Sequence, residues 1–576
     1  MRNRPNLLFM SIDALRPDRM SLHGYTRPTT PNLERLAERG LVCDRAFSPA
    51  PFTQAAMPVM LTSSPPLSFG GYDKGGFGRP PTLFKAFHDA GYEVEVLSSF
   101  KWISRFFGYG AGVDQEYHLF SPKDLVGASV NRMKSSLQAF HRDNATPEET
   151  LAATEAVITE MFDALEAYCE TRLREHAADR EDFAGSLLVE EKWDFNAIGR
   201  SVKRHRHEFD KNPVGYIGRH LNFVPKSHQW IAADWRYSRR PEKLASEALF
   251  KIANTIIGAA NPRLARLRAS RFKGFVDGAS LAKRLIRHLE SRARTPERPF
   301  VLYTHFLDCH VPYYPGRSPH WYRQAPHYLK VLGYDPDTID LATMTRPRPQ
   351  SESEIASWRA AYDAAVLYAD EQIGRVIDAL ERLGLADNTT IAICADHGEE
   401  LMEHGNISHY FRLYDHNCRV PMMFAGAGVR PGRIEGFTSL LDFAPTVAAL
   451  AGVEMPTGWA GIPVTDPSVM ERDHTLLETF YGGNCLFDRR PLYFAVRSRH
   501  HKYIWKESRD PDDAFSPDGH ELYDVVNDPL EQRNLYRPDD PLIPGFNRLI
   551  AARMSEIPEI APDRRQPLLR LSPAAA

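Results

Sequence analysis

Two short apolar runs, far apart in the chain, each end on a carboxylate. Ile391-Ala392-Ile393-Cys394-Ala395 leads directly into Asp396-His397-Gly398-Glu399-Glu400, and Leu7-Leu8-Phe9-Met10-Ser11-Ile12 delivers Asp13. Short, β-rich apolar runs read as buried parallel strands, and ligands of open α/β sheets gather at the carboxyl ends of such strands. The pattern predicts an α/β fold in which Asp13, Asp396 and His397 meet. An Asp-His pair offers a divalent cation one hard oxygen and one imidazole nitrogen. Taken alone, Asp-His-Gly after a strand reads equally well as a turn with a helix cap, and that alternative stays open at this level.

A third segment is Ser48-Pro49-Ala50-Pro51-Phe52-Thr53-Gln54-Ala55-Ala56-Met57-Pro58-Val59-Met60-Leu61-Thr62-Ser63. Together with Arg4 to Asp18, His23-Gly24-Tyr25 and Thr30 to Ala37, it resembles the sulfatase-like branch of the alkaline phosphatase superfamily. The resemblance implies an alkaline-phosphatase-like sandwich: a central mixed, mostly parallel sheet between helices, plus a small C-terminal antiparallel sheet. It also places the nucleophile nine residues before the threonine of a Leu-Thr-Gly, here Leu61-Thr62-Ser63, which gives Thr53. Thr53 opens a helix expected from Gln54 to Leu61, where backbone N–H groups and the helix dipole favour an anion.

Two departures from the family pattern bear on the chemistry. Most sulfatases carry Cys-x-Pro-x-Arg or Ser-x-Pro-x-Arg at the nucleophile and convert its first residue to formylglycine. This chain has Thr53-Gln54-Ala55-Ala56-Met57, and none of its six cysteines lies there. The resemblance then points to the threonine-nucleophile members, in which an alkoxide attacks phosphorus; coordination to a cation is a standard way to activate a hydroxyl. The plainer alternative is a capping threonine. The second departure is Asp13-Ala14 where sulfatases show two adjacent aspartates, so one ligand is missing. The implied metal set is Asp13, Thr53, Asp396 and His397, holding one divalent ion rather than two: Mn²⁺ first, with Mg²⁺, Zn²⁺ or Ca²⁺ also admitted.

Phe300 to Tyr313 resembles the family's strand ending in Asp-x-His-x-Pro-Tyr and implies a catalytic role for His310. His404-Gly405, His409 to Tyr414 and Arg419-Val420-Pro421 follow in family order, with His409 as the histidine that assists the leaving group or binds the oxyanion. Lys101, beside Trp102, and Arg16 are the implied substrate-binding cations. Between them, Tyr362 to Leu385 reads as an amphipathic helix with Gly384 near its end.

Composition suits a large enzyme with a sizeable core: 576 residues, 43% hydrophobic. No apolar run approaches ~20 residues, so no transmembrane segment is expected. No signal peptide is read at the N-terminus, and unpaired cysteine spacing suggests a cytoplasmic protein. The expected organisation is a catalytic domain at 1–460 interrupted by a helical cationic insertion at 121–297, a small C-terminal subdomain at 461–560, and a disordered tail at 561–576. Residues 201–300 carry 22 Lys/Arg against 8 Asp/Glu, +14, which leaves −17 for the rest. Lys203 to His207, Arg236, Arg239, Arg240, Arg263, Arg266, Arg268 and Arg271, interleaved with Trp230, Trp235 and Tyr237, read either as a solvated helical face or as a docking surface for an anion.

The expected activity is hydrolysis or transfer of a phosphate monoester, diester or phosphonate ester through Thr53, on an anionic substrate with a glycan or lipid leaving group left open. Sulfuric ester hydrolysis is the alternative, and a non-catalytic polyanion-binding protein retaining the fold is the third reading. No nucleic-acid module is present, and oligomeric state is not specified.

Overall fold

Asn6–Ile12 (β1) is buried along its whole length and lies between two strands remote from it in sequence. The computed structural model describes residues 4–120, 147–182, 194–220, 276–294, 298–313, 321–341, 348–480, 491–508 and 519–570, with scattered positions between. The strands are β1, β2 (Gly40–Phe47), β3 (Glu93–Ser98), β4 (Gln115–His118), β5 (Phe300–Phe306), β6 (Thr389–Ala395) and β7 (Glu400–Leu401). They continue with β8 (Ile407–Ser408), β9 (Met422–Gly426), β10 (Gly432–Ser439), β11 (His474–Phe480), β12 (Leu492–Ser498), β13 (His501–Lys506) and β14 (Glu521–Asp524). Eight of them form one sheet in the order β10-β2-β9-β6-β1-β5-β3-β4, parallel except where β9 runs against β2 and β6. This is the mixed, mostly parallel α/β architecture predicted.

Register decides what the strands deliver. Ile12 pairs with both Phe306 on β5 and Ala395 on β6, so the carboxyl ends of β1, β5 and β6 are level. Side chains alternate across a strand, which puts Phe9, Ser11 and Asp13 on one face. Phe9 stacks on Tyr303 with ring centroids 4.4 Å apart, and Tyr303 reaches Met57 in the helix Thr53–Thr62. Asp13 is thereby aimed toward the start of that helix.

Helices cover the sheet in two groups. Thr53–Thr62, Leu83–Asp89 and Phe443–Ala451 pack on one another, while Pro31–Ala37, Gly278–Arg294 and Trp321–Val331 gather along Glu352–Arg382. The last helix begins ten residues before the predicted Tyr362: Ser351 caps it, its side chain accepting from the Glu354 N–H. Its alanine-rich stretch Ala360–Ala369 is buried nearly all round, which blurs the amphipathic signal. Gly384, at φ +69°, follows its end as expected. Gly278–Arg294 was assigned to the insertion, yet Leu281, Ala282, Leu285 and Leu289 join the main core.

The rest of the described insertion is helical, with Pro147–Asp182, Phe195–Lys211 and Pro213–His220 sharing a core of Phe162, Tyr168, Ile198, Val202, Phe209 and Tyr216. Within the basic run, His205 is buried and bonded to Tyr216, and Arg206 pairs with Asp163 and Glu166. Trp230, Trp235, Tyr237, Arg236, Arg239, Arg240, Arg263, Arg266, Arg268 and Arg271 lie outside the described residues. So does Cys485; the five described cysteines are buried and form no disulfide with one another. No helix among the described residues is long and apolar enough to cross a membrane.

The second sheet, β11-β12-β13-β14, is antiparallel, with the helix Ile543–Ser555 packed on β12. The start of the expected disordered tail is instead ordered: Pro562–Arg565 is a 3-10 turn, Gln566–Arg570 is a helix, and Leu568 is buried in the C-terminal core. A buried leucine is reason enough for the chain to settle there.

Candidate active site

The helix Thr53–Thr62 is buried almost throughout and begins with Phe52 as its cap residue, which makes no side-chain cap bond. Thr53 therefore occupies the first helical position. Its hydroxyl turns away from the helix backbone, donating to Asp13 Oδ2 at 3.4 Å and standing 3.1 Å from His397 Nε2. A capping threonine would instead accept from the N–H two or three residues on. At the other end, Ser63 holds φ +45°, the left-handed region where the family's glycine sits without cost. Its hydroxyl donates to the Leu441 carbonyl (2.6 Å) and accepts from Gly461 N–H (2.9 Å). Two such bonds, at ~1 kcal/mol each, offset the ~1–2 kcal/mol of left-handed strain.

Asp13, Asp396 and His397 converge as the register requires. His397 Nε2 lies 3.5 Å from Asp13 Oδ1 and 3.4 Å from Asp396 Oδ2, and one ligand atom from each of the three falls within 4.8 Å of the others. All three residues are fully buried. Asp13 Oδ1 and Asp396 Oδ2 have no hydrogen-bond partner. Leaving two carboxylates buried so close together costs several kcal/mol per ion unless a cation offsets them. These residues fit a divalent ion by that test and by their mixed oxygen and nitrogen donors. Ala14, at φ +57°, turns the chain after Asp13; its N–H donates to Asp396 Oδ1 (3.3 Å) and its carbonyl accepts from Tyr362 (2.6 Å).

Burial pushes Asp396 up, helped by Asp13, whereas Asp13 is held far below the carboxylate range against burial by His310, His305 and His397. Burial lowers His397 to about 4 and lowers His310 and His409 too.

His310 and His409 sit on the same carboxylate: each brings one ring nitrogen within 4.8 Å of an Asp13 oxygen, and their ring centroids are 5.0 Å apart. His409 also lies 4.1 Å, centroid to centroid, from His397. The two other expected residues are placed differently. Arg16 is 1% exposed and turned inward, donating to Asp18 (2.7 and 3.0 Å), Glu403 (2.7 Å) and the Glu399 carbonyl (2.8 Å). These bonds clamp the β1 loop to the β7 region. Lys101 opens a 3-10 turn with its Nζ 5.0 Å from the Trp102 ring.

Two residues of the cluster were not singled out from sequence. His305, on β5 opposite Ser11, places Nε2 3.4 Å from Asp13 Oδ2 and binds Ser11 Oγ through Nδ1 at 2.7 Å. Asp13 and Asp396 raise it against burial. Glu399, fully buried, places Oε2 3.3 Å from His409 Nδ1, and burial pushes its carboxyl well above the usual range. The available signals were an imidazole near the end of an apolar strand and the Glu next to Asp-His-Gly.

A carboxylate pair, an imidazole and a hydroxyl at a helix start thus meet at the ends of central strands. The chain belongs to the Sulfatase family, whose model matches residues 5–154 and 192–453. It is similar to the choline-sulfatase of Rhizobium meliloti, 31% identical over 260 residues, covering 41% of this chain and 46% of that protein. Arylsulfatase K of Xenopus laevis is 26% identical over 281 residues, 43% and 50% of the two chains. The chain thus spans about half the length of these curated relatives. Its fold is similar to the solved phosphonate monoester hydrolase of Agrobacterium radiobacter, with a TM-score of 0.50, 16% identity and coverage of 99% and 95%. Sulfatase-family proteins are generally metal-dependent.

Proposed function

We propose that this chain hydrolyses a sulfuric ester through a covalent intermediate on Thr53. The reading moves the weight from the phosphoric esters expected first to the sulfuric alternative, because the curated relatives are named for sulfate esters. One observation supports it above all: the Thr53 hydroxyl is directed at Asp13 and His397 instead of capping its helix.

Asp13, Asp396 and His397 would hold the divalent cation. When bound, that ion would lower the hydroxyl pKa and offset charge on the ester group. Asp13 orients the Thr53 proton, and the N-terminal N–H groups of the helix Thr53–Thr62 favour the anionic sulfuryl oxygens. Thr53 Oγ1 attacks sulfur, the bond from sulfur to the leaving oxygen breaks, and the alcohol departs with a proton. Water then attacks the threonine sulfate ester, releasing sulfate and restoring Thr53. His310 and His409, each with a ring nitrogen within 4.8 Å of an Asp13 oxygen, would assist the leaving oxygen.

Phosphate or phosphonate ester cleavage is the second reading, favoured by the threonine itself. Without a formylglycine hydrate, the covalent ester must be released by attack at its central atom, and that route is as open to phosphorus as to sulfur. A panel of p-nitrophenyl sulfate, phosphate diester and phosphonate separates the two by kcat/KM, with intact-mass detection of a covalent adduct. We expect Thr53→Ala to lose at least ~10³-fold in kcat while unfolding normally. Wild-type turnover in that variant would remove Thr53 from the chemistry.

A further inference from the structure

We propose that His305 is a positioning residue: backed by Ser11 and Tyr303, it fixes the carboxylate of Asp13 so that one oxygen faces Thr53 and the other is kept for the cation. Parallel pairing sets Ser11 beside His305, and Tyr303 lies two residues earlier on the same face of β5. Tyr303 Oη stands 3.0 Å from Ser11 Oγ, Ser11 Oγ 2.7 Å from His305 Nδ1, and His305 Nε2 3.4 Å from Asp13 Oδ2. All four residues are fully buried. The line is anchored behind: the Tyr303 ring stacks on Phe9, and the Ser99 hydroxyl donates to the His305 carbonyl.

The direction of the last bond follows from the groups themselves. A carboxylate has no proton to give, so Nε2 carries one and donates to Oδ2. Ser11 Oγ can donate or accept, and in either case it holds Nδ1 and keeps the ring from turning. Asp13 Oδ2 also accepts from Thr53, whereas Oδ1 has no hydrogen-bond partner and lies 3.5 Å from His397 Nε2. The two oxygens of one carboxylate thus have separate surroundings. Turning that carboxylate would leave the His305 N–H buried without an acceptor, which is costly. Packing alone would be met by an apolar side chain at 305, as it is by Val301 on the same face.

This role rests on the reading of Asp13 as a cation ligand and not on the chemistry of Thr53, so binding without substrate tests it. Titrating the full chain with Mn²⁺ and following the free-ion paramagnetic resonance signal gives Kd. We expect His305→Leu to raise Kd about 10–100-fold. His305→Gln, whose amide N–H can reach the same oxygen, should restore most of the affinity. Ser11→Ala should raise Kd by a smaller factor, and by nothing further when added to His305→Leu, because both changes act through one ring. Wild-type Kd in Ser11→Ala, or in a folded His305→Leu, overturns the proposal. Equal loss in the leucine and glutamine variants overturns it too, since packing or a direct ligand bond would then account for the effect. Asp13→Asn is the control: unchanged affinity there removes the cation site itself, and this role with it, whereas loss there beside wild-type Kd in His305→Leu removes the role alone.

Discussion

At Gly398 the backbone passes so near the following loop that a methyl group has no room. An added Cβ would stand 1.9 Å from the His416 carbonyl oxygen. The approach is needed, because Gly398 N–H donates to Asn417 O (2.7 Å) and Glu399 N–H to His416 O (2.9 Å), while the Gly398 carbonyl orients His397. Gly398→Ala must therefore displace the ligand loop, and we expect bound metal and unfolding temperature to fall together. Normal metal content in that variant would show that the loop yields elsewhere. Asp13, Thr53, Asp396 and His397 were legible because each follows or opens a recognisable element. Arg16 was legible only as a charge near the site. Which way a guanidinium turns depends on Asp18 and Glu403, and the second of these lies almost four hundred residues away.

On the scale of elements, β4 shows how an edge strand is tied down. Glu116 is buried there, bonded to Arg105 Nε (2.6 Å) and Ser98 Oγ (2.8 Å), with His118 Nε2 at 3.4 Å. Burial would raise its carboxyl, but His118 and Arg105 hold it at about 2, below the usual 4.5. A depressed acid stabilises the fold above its unfolded pKa, and that stabilisation is lost as pH falls through its folded pKa. The difference in melting temperature between wild type and Glu116→Gln should be full above pH 4.5 and shrink steadily toward pH 2. A gap independent of pH would mean that packing, not charge, holds this edge. Strand positions were read well from sequence because buried parallel strands are plain apolar runs. The long helix Glu352–Arg382 was read short because its first turns carry the mixed composition of a cap and an exposed end.

Across the whole molecule, a buried charge network fastens the C-terminal sheet to the loop beside the site. Lys502 on β13 is fully buried, with Nζ 2.9 Å from both Asp415 Oδ1 and Glu531 Oε1; Arg497 on β12 reaches Asp415 Oδ2 at 2.8 Å. Asp415 closely precedes His416 and Asn417, whose carbonyls receive the Gly398 and Glu399 N–H groups. Removing one partner of a buried network costs about 3–5 kcal/mol, since it leaves charges uncompensated. Lys502→Met should lower the denaturant midpoint accordingly, and adding Glu531→Gln should recover part of the loss. Additive losses from the two changes would contradict coupling through Lys502.

The sequence by itself determined the fold class, the helix that opens at Thr53 and three strand ends that carry ligand-type residues. It could do so because these are local facts: an apolar run, a turn, a helix start. Only the tertiary structure decided that His305 shares the Asp13 carboxylate, that Glu399 orients His409, and that Arg16 is a clamp. It also decided that Gly278–Arg294 belongs to the core and that Leu568 anchors the expected tail. Those outcomes depend on strand order and on contacts between residues hundreds of positions apart, which leave no periodic trace in the chain. His305 marks the boundary. Its place at the end of an apolar strand was visible in the sequence, but its partner came into reach only through the parallel register of β1 and β5.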